Sequence, residues 1–222
     1  GGDLLEKLRR ANRRAAERVR RQNGEPGEET RLGALTELFA AVRRQTVVDR
    51  MIEDGLGIVQ KGLGFDRLLY LHLDVENARL RGRFHFDDSH IEATVNEVGF
   101  PLAPAGTPAA ALREGRAARL RENPEDRRIL DLFGAQEVAV APLIVSGEPL
   151  GLICADYFFR NRPIAEKDVV LLGIAALQLG VAIEAGALGQ QADKLRALAM
   201  KDELTGINNR RNLLRQFQEE LD

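Results

Sequence analysis

The chain has 222 residues, enough for one sizeable domain with flanking helices or for two small ones. Apolar residues make up 44% and charged residues 30% of it, too apolar a mixture for a disordered tract. With 32 basic against 34 acidic residues the net charge is -2, so the overall balance does not draw the chain to nucleic acid.

Residues 3–22 read as a helix, with Leu4, Leu8, Ala11, Ala15 and Val19 recurring every three or four positions among arginines and glutamates. The run Asn23-Gly24-Glu25-Pro26-Gly27 breaks it and serves as a linker. Thr30 is placed to cap a second helix with Leu32, Leu35, Leu38, Phe39 and Val42 on its apolar face. A third helical run, from Val47 to Val59, ends in the glycine-rich stretch 61–64.

The period then changes to two. Residues 67–74 and 78–86, separated by the turn 75–77, read as a β-hairpin. The second strand reads as a clean alternation, with Leu80, Phe84 and Phe86 on one face and Arg79, Arg81, Arg83 and His85 on the other. Residues 87–106 read as loop with room for a short helix. Thr107-Pro108 and Asn123-Pro124 each set a capping side chain before a proline, which predicts two short helices. A second hairpin follows, residues 137–145 and 150–158 around the turn 146–149, and Pro163 introduces a long last helix. The elements predict an α+β fold in which an antiparallel sheet of five to six strands is flanked by helices.

The last helix carries a seven-residue spacing, Ile174, Val181, Leu188 and Leu195, with Leu177 and Leu198 three residues after the first and last. Glu184 and Gln191 interrupt the stripe, which weakens the seam and suits a signalling coiled coil whose register shifts. The competing reading packs residues 174–183 on the sheet and leaves the rest as a solvated helix. The longest apolar stretch, 169–183, is broken by Gly173, Gln178 and Gly180 and is shorter than the roughly 18 residues that cross a bilayer, so no membrane span is expected. The arginine-rich first twenty residues lack the apolar segment of a signal peptide, and the single cysteine, Cys154, excludes an internal disulfide; both point to the cytoplasm.

This order of elements resembles the GAF family of small-molecule sensor domains. The string 140–156, an apolar strand, a glycine turn and a second apolar strand beginning at Leu150-Gly151-Leu152, carries the resemblance, together with Arg162-Pro163-Ile164 and the acidic helix start at Glu166–Asp168. A second resemblance is local. Asp202, Leu204, Thr205, Gly206, Asn209, Arg210 and Arg211 match, position by position, the start of GGDEF (diguanylate cyclase) domains, with Ile207 where leucine is usual. The two resemblances imply a division into an N-terminal helix and linker (1–29), a GAF-like sensor (30–186), a signalling helix (187–201) and the first residues of a GGDEF domain (202–222).

That family makes cyclic di-GMP from GTP with carboxylate-held magnesium. Its metal-binding and signature residues would lie past Asp222, so GTP and Mg belong to the output domain of a longer parent and no catalytic residue is expected here. The reading is a sensor that, as a homodimer through its N- and C-terminal helices, reorients a stalk when a small molecule binds. A ligand-free dimerisation scaffold is the alternative, and a parent of another class, a histidine kinase or phosphodiesterase, is opposed by the 202–211 string.

The polar groups on strands or at strand ends, His72, Arg83, His85, Asp156 and Tyr157, are the candidate ligand contacts. Arg83 and His85 would present a cationic pair to an anionic ligand, with a solvated or salt-bridged surface as the competing reading. His72, His85 and His90 fit no standard ligand spacing, and no metal is expected. Cys154 in an apolar strand reads as a small core residue.

Overall fold

The computed structural model of the chain describes residues 26–42, 47–87 and 98–200. The helix expected over 3–22, His90 and the segment 202–222 lie outside these described residues. Helices α1 (Glu28–Val42) and α2 (Val48–Leu63) lead into β1 (Arg67–Asp74), β2 (Arg79–Asp87) and β3 (Gly99–Pro101). Helix α3 (Thr107–Glu114), β4 (Ala118–Leu120) and α4 (Arg127–Phe133) follow, then the hairpin β5 (Val138–Val145) and β6 (Glu148–Asp156), and α5 (Glu166–Met200).

The six strands form one sheet in the order β3-β2-β1-β6-β5-β4, antiparallel at every step. Both faces are covered, which is why β5 and β6 read as near-continuous apolar runs. On one face Leu68, Tyr70, Ala141, Ile153 and Ala155 pack under α1, α2 and α5. On the other, Leu69, Leu71, Val140, Leu152 and Cys154 pack under the short helices α3 and α4 with Leu112, Ile129 and Phe133.

Several local expectations are corrected. β2 does not alternate cleanly. Tyr70 pairs with Phe84 but Leu71 pairs with Gly82, so Arg83 is an extra, bulged residue. The bulge inverts the alternation: Leu80 belongs to the core beneath α3 and α4, whereas Phe84 packs with the core beneath α1 and α2. Residues 99–101, read as part of a loop, and 118–120, between the two predicted short helices, are the two edge strands; three residues are too few to display a period. Thr30 lies inside α1, which begins at Glu28, and Arg31 N–H donates to Gly27 O at 3.1 Å. Thr107 does begin α3, but its cap comes from elsewhere: Asp126 accepts the Thr107 N–H at 2.8 Å and its hydroxyl at 2.6 Å. Asn123 closes a turn by accepting the Glu125 N–H at 3.1 Å, and α4 begins only at Arg127.

The second hairpin turns on Ser146-Gly147 alone, both at positive φ (52° and 82°), so Glu148 and Pro149 belong to β6. This is the two-residue turn whose twist matches the strands, and glycine is the residue that adopts its second position without strain.

Helix α5 runs unbroken through Gly173, Gln178 and Gly180. Its segment Glu166–Ala192 is long and apolar enough to cross a bilayer by length and composition. The reason for its apolarity is visible in the fold: Val169, Leu172, Ala175, Ala176, Leu179 and Ile183 are buried against the sheet and the first two helices. Gly180 sits on the backbone of β5, where a Cβ would lie 2.0 Å from Ile144 O. The small residues Ala139 and Ala141 of β5 share this face of the sheet.

Candidate functional site

Of the residues singled out from the sequence, Asp156 and Tyr157 lie apart from His72 and Arg83. Asp156 and Tyr157 lie at the end of β6 in a buried ionic network. Arg67, at the start of β1, donates from Nε to Asp156 Oδ1 at 3.1 Å and from Nη2 to Asp156 Oδ2, and the same nitrogen reaches Phe133 O at 2.6 Å. Its guanidinium lies 4.0 Å from the centre of the Phe158 ring and 5.3 Å from that of Phe133. Asp66, next in line, accepts the Arg160 N–H at 2.7 Å and pairs with its guanidinium at 2.8 Å; burial pushes its carboxyl above the ordinary range.

Tyr157 stacks on Phe65 with centroids 5.0 Å apart, lies under the Arg162 guanidinium at 3.5 Å, and donates its hydroxyl to Asp168 Oδ1 at 3.1 Å. Asp168 also takes Arg31 from α1 at 3.4 Å, Arg162 at 3.1 Å and the Ala165 N–H at 2.9 Å. Burial alone would raise its carboxyl, but the arginine and the N–H donors hold it below the ordinary range. This network joins α1, the loop after β6 and the first turn of α5. Its carboxylates pair with arginines of the chain itself, and Asp156 and Tyr157 are both part of it.

His72 and Arg83 lie elsewhere. His72 is exposed on β1, paired with Arg81 and Gly151. Arg83, on the bulge, is half-exposed and donates to Asp49 Oδ2 of α2 at 2.7 Å. In the structure it is part of a salt-bridged surface. The Cα of His85 pairs with Leu69, while its side chain lies outside the described residues.

A concave site is present at residues the sequence did not single out. Between the edge of β2 and β3 and the starts of α3 and α4 lies a cleft of about 420 Å³, inside the 300–1,000 Å³ or so of ordinary ligand sites. Leu80, Phe100, Leu102 and Ile129 give it an apolar lining, and Pro101, Pro104, Pro108 and Pro124 stiffen its walls. Glu125 and Arg128 supply its charged groups. The Asp126 clamp on Thr107 holds the two helix starts together around it. The clustering was readable: four of the chain's eight prolines fall within residues 101–124. What it enclosed was not.

A second groove, about 810 Å³, runs on the far side of Pro124. Four of its five charged groups pair internally, Arg121 with Glu137 at 3.7 Å and Arg127 with Asp131 at 3.8 Å, which leaves Glu122 and no cation for a ligand. Among the described residues no group of three or more His, Cys, Asp or Glu side chains is placed to hold a metal. Cys154 is fully buried, and burial pushes its thiol far above the ordinary range.

A family model described as GAF domain matches residues 35–183. Solved structures share the fold. The phycocyanobilin-bound GAF domain of a cyanobacterial phytochrome is 16% identical, with 72% of this chain and 96% of that one covered and a TM-score of 0.60. Residues 122 to 287 of a methyl-accepting chemotaxis protein are 18% identical, with 69% and 98% covered and a TM-score of 0.55. Free methionine-R-sulfoxide reductase of Neisseria meningitidis, in complex with its substrate, is 16% identical, with 75% and 97% covered and a TM-score of 0.57. At these identities the likeness is one of fold. No curated protein matches the chain at a significant level.

Proposed function

Because the chain belongs to the GAF family of sensory domains, we propose that its core reads a small molecule in the β2–β3 cleft and passes the result through α5 to an output domain. The observation that carries the reading is the double use of α5. One face of this 35-residue helix is buried against the sheet and the first two helices, and the other exposes Val170, Ile174, Leu177, Val181, Leu188 and Leu195. The exposed set follows the heptad spacing and continues past the part that packs on the sheet. Glu184, which interrupts the stripe, accepts a hydrogen bond from Ser146 Oγ of the β5–β6 turn at 3.2 Å, so the seam and the sheet meet at that residue.

In this reading two copies pair in parallel through α5 and the N-terminal helices. A shift of the sheet changes how the paired helices emerge, and two output domains are brought together or held apart. The string Asp202–Arg211 supports a diguanylate cyclase as that output, active on GTP with Mg in a longer parent, and the single buried cysteine fits the reducing cytoplasm. The module itself performs no catalysis. Light scattering on the purified chain tests the stalk: a dimer is expected, and Leu177→Glu with Leu188→Glu should return it to a monomer with an unchanged far-UV CD spectrum. A strictly monomeric chain at high concentration refutes the mechanism.

The ligand-free scaffold has one observation in its favour, the dense apolar filling between the sheet and α3–α4. Thermal shift separates the two: a sensor at about 100 times Kd gains about 2.7 kcal/mol, a scaffold nothing.

A further inference from the structure

We infer that the β2–β3 cleft is built for an apolar α-amino acid in its zwitterionic form, its side chain among Leu80, Phe100, Leu102 and Ile129, its carboxylate on Arg128 and its ammonium on Glu125. The inference rests on the sensory reading above and names the ligand class of that same cleft.

Arg128 stands apart by its bonding. Its side chain has neither an ion pair nor a hydrogen bond, whereas thirteen other arginines with described side chains are held by carboxylates or, for Arg79, by Gly99 O. The neighbouring Arg127 pairs with Asp131, one turn on, which leaves Arg128 to the cleft. Glu125 is three residues before Arg128 and lines the same cleft. Among the described residues its recorded hydrogen bond is through its backbone N–H, and its carboxylate is unpaired.

Three residues apart, a glutamate and an arginine commonly pair with each other; here they do not. The turn at Pro124 and the diversion of Asp126 to Thr107 fix the backbone between them. The cleft therefore offers one cationic and one anionic partner at the rim of an apolar cavity.

That combination discriminates by charge. A simple carboxylate would meet Arg128 but also face the Glu125 carboxylate, and a simple amine would meet the reverse. A zwitterion satisfies both, with the planar guanidinium taking the carboxylate in two parallel hydrogen bonds. The proline-rich walls and the Asp126–Thr107 clamp hold the cavity open beforehand, which reduces the ordering cost of binding. The cavity lining accepts an aliphatic or aromatic side chain and offers it no further charge.

The test is isothermal titration of the purified chain with L-leucine, L-methionine and L-phenylalanine, then with 3-phenylpropionate, which lacks the ammonium, and phenethylamine, which lacks the carboxylate. At least one amino acid should bind, and each analogue of phenylalanine should bind about tenfold or more weakly than the parent, the scale of losing one charge-assisted pair. Arg128→Gln should weaken the amino acid by a similar factor while phenethylamine, relieved of the like charge, binds no more weakly than before; Glu125→Gln should do the same with 3-phenylpropionate as the compound that is not weakened. Both side chains are exposed, so CD should confirm an intact fold.

The inference is overturned if the analogues bind as tightly as the amino acid, if neither substitution alters affinity, or if no apolar amino acid binds at about 10 mM. A thermal-shift panel of nucleotides, carboxylates and amines distinguishes this failure from that of the sensory reading. Stabilisation by another class leaves a sensor with a different ligand, and stabilisation by none leaves the scaffold.

Discussion

Gly180 gives the sharpest test of how α5 is seated. A Cβ added there would stand 2.0 Å from Ile144 O and 3.2 Å from its carbonyl carbon, both backbone atoms. A carbon–oxygen contact wants about 3.3 Å or more, so Gly180→Ala must part helix and hairpin by more than about 1 Å. Overpacking of this kind costs about 1–3 kcal/mol, and a backbone clash belongs at the upper end. The better helix propensity of alanine returns about 1 kcal/mol, leaving a net loss of about 2 kcal/mol.

Gly189, nine residues further along the same helix, has nothing within 4 Å of its added Cβ, so Gly189→Ala keeps the propensity gain of up to about 1 kcal/mol. For a domain of this size 1 kcal/mol is worth about 2–4 °C, so Gly180→Ala should melt about 4–8 °C lower and Gly189→Ala up to about 4 °C higher by far-UV CD. The two substitutions are chemically identical and should differ in sign. If Gly180→Ala is neutral or stabilising, α5 does not rest on the β5 backbone, and the route from sheet to stalk falls with it.

Three further outcomes are expected. Asp156→Ala leaves the Arg67 guanidinium buried without its carboxylate and should cost about 3–5 kcal/mol in urea unfolding, whereas the double change to Arg67→Met and Asp156→Leu should recover most of it. Asp168→Asn should cost about 2 kcal/mol at neutral pH by weakening the bonds from Arg31, Arg162 and Tyr157. The folded carboxyl lies below its ordinary 3.8, so that advantage of the native chain is complete above this value and should shrink as pH falls from 3.8 through the folded value; an advantage that grows on acidification would contradict the network. Cys154 should resist a thiol reagent in the native state and react fully in urea, since both its burial and its raised thiol oppose thiolate formation.

The sequence by itself determined those features whose cause is local. The change of period at residue 67, the two hairpins with a glycine turn after Val145 and the heptad stripe of the last helix all depend on neighbours within a few residues, and each stands in the structure, the turn two residues shorter than read. So does the α+β architecture, because helices and strands with these apolar faces have few ways to bury them.

Tertiary structure decided what depends on distant partners. Arg83 becomes a bulge in the pairing of β2 with β1, and the neighbouring Gly82, a glycine inside a strand, was the one local hint of it. Asp156 reads as a polar group at a strand end, and only the fold supplies its partner Arg67, 89 residues away. Asp126 spends its carboxylate on the N-terminus of α3 rather than on that of its own helix. The cleft is assembled from an edge strand of three residues, too short to display a period, and two helix starts whose meeting no local signal gives. An isolated charge in a sequence carries no sign of whether the fold will supply its counter-ion; only the packed chain left Arg128 without one.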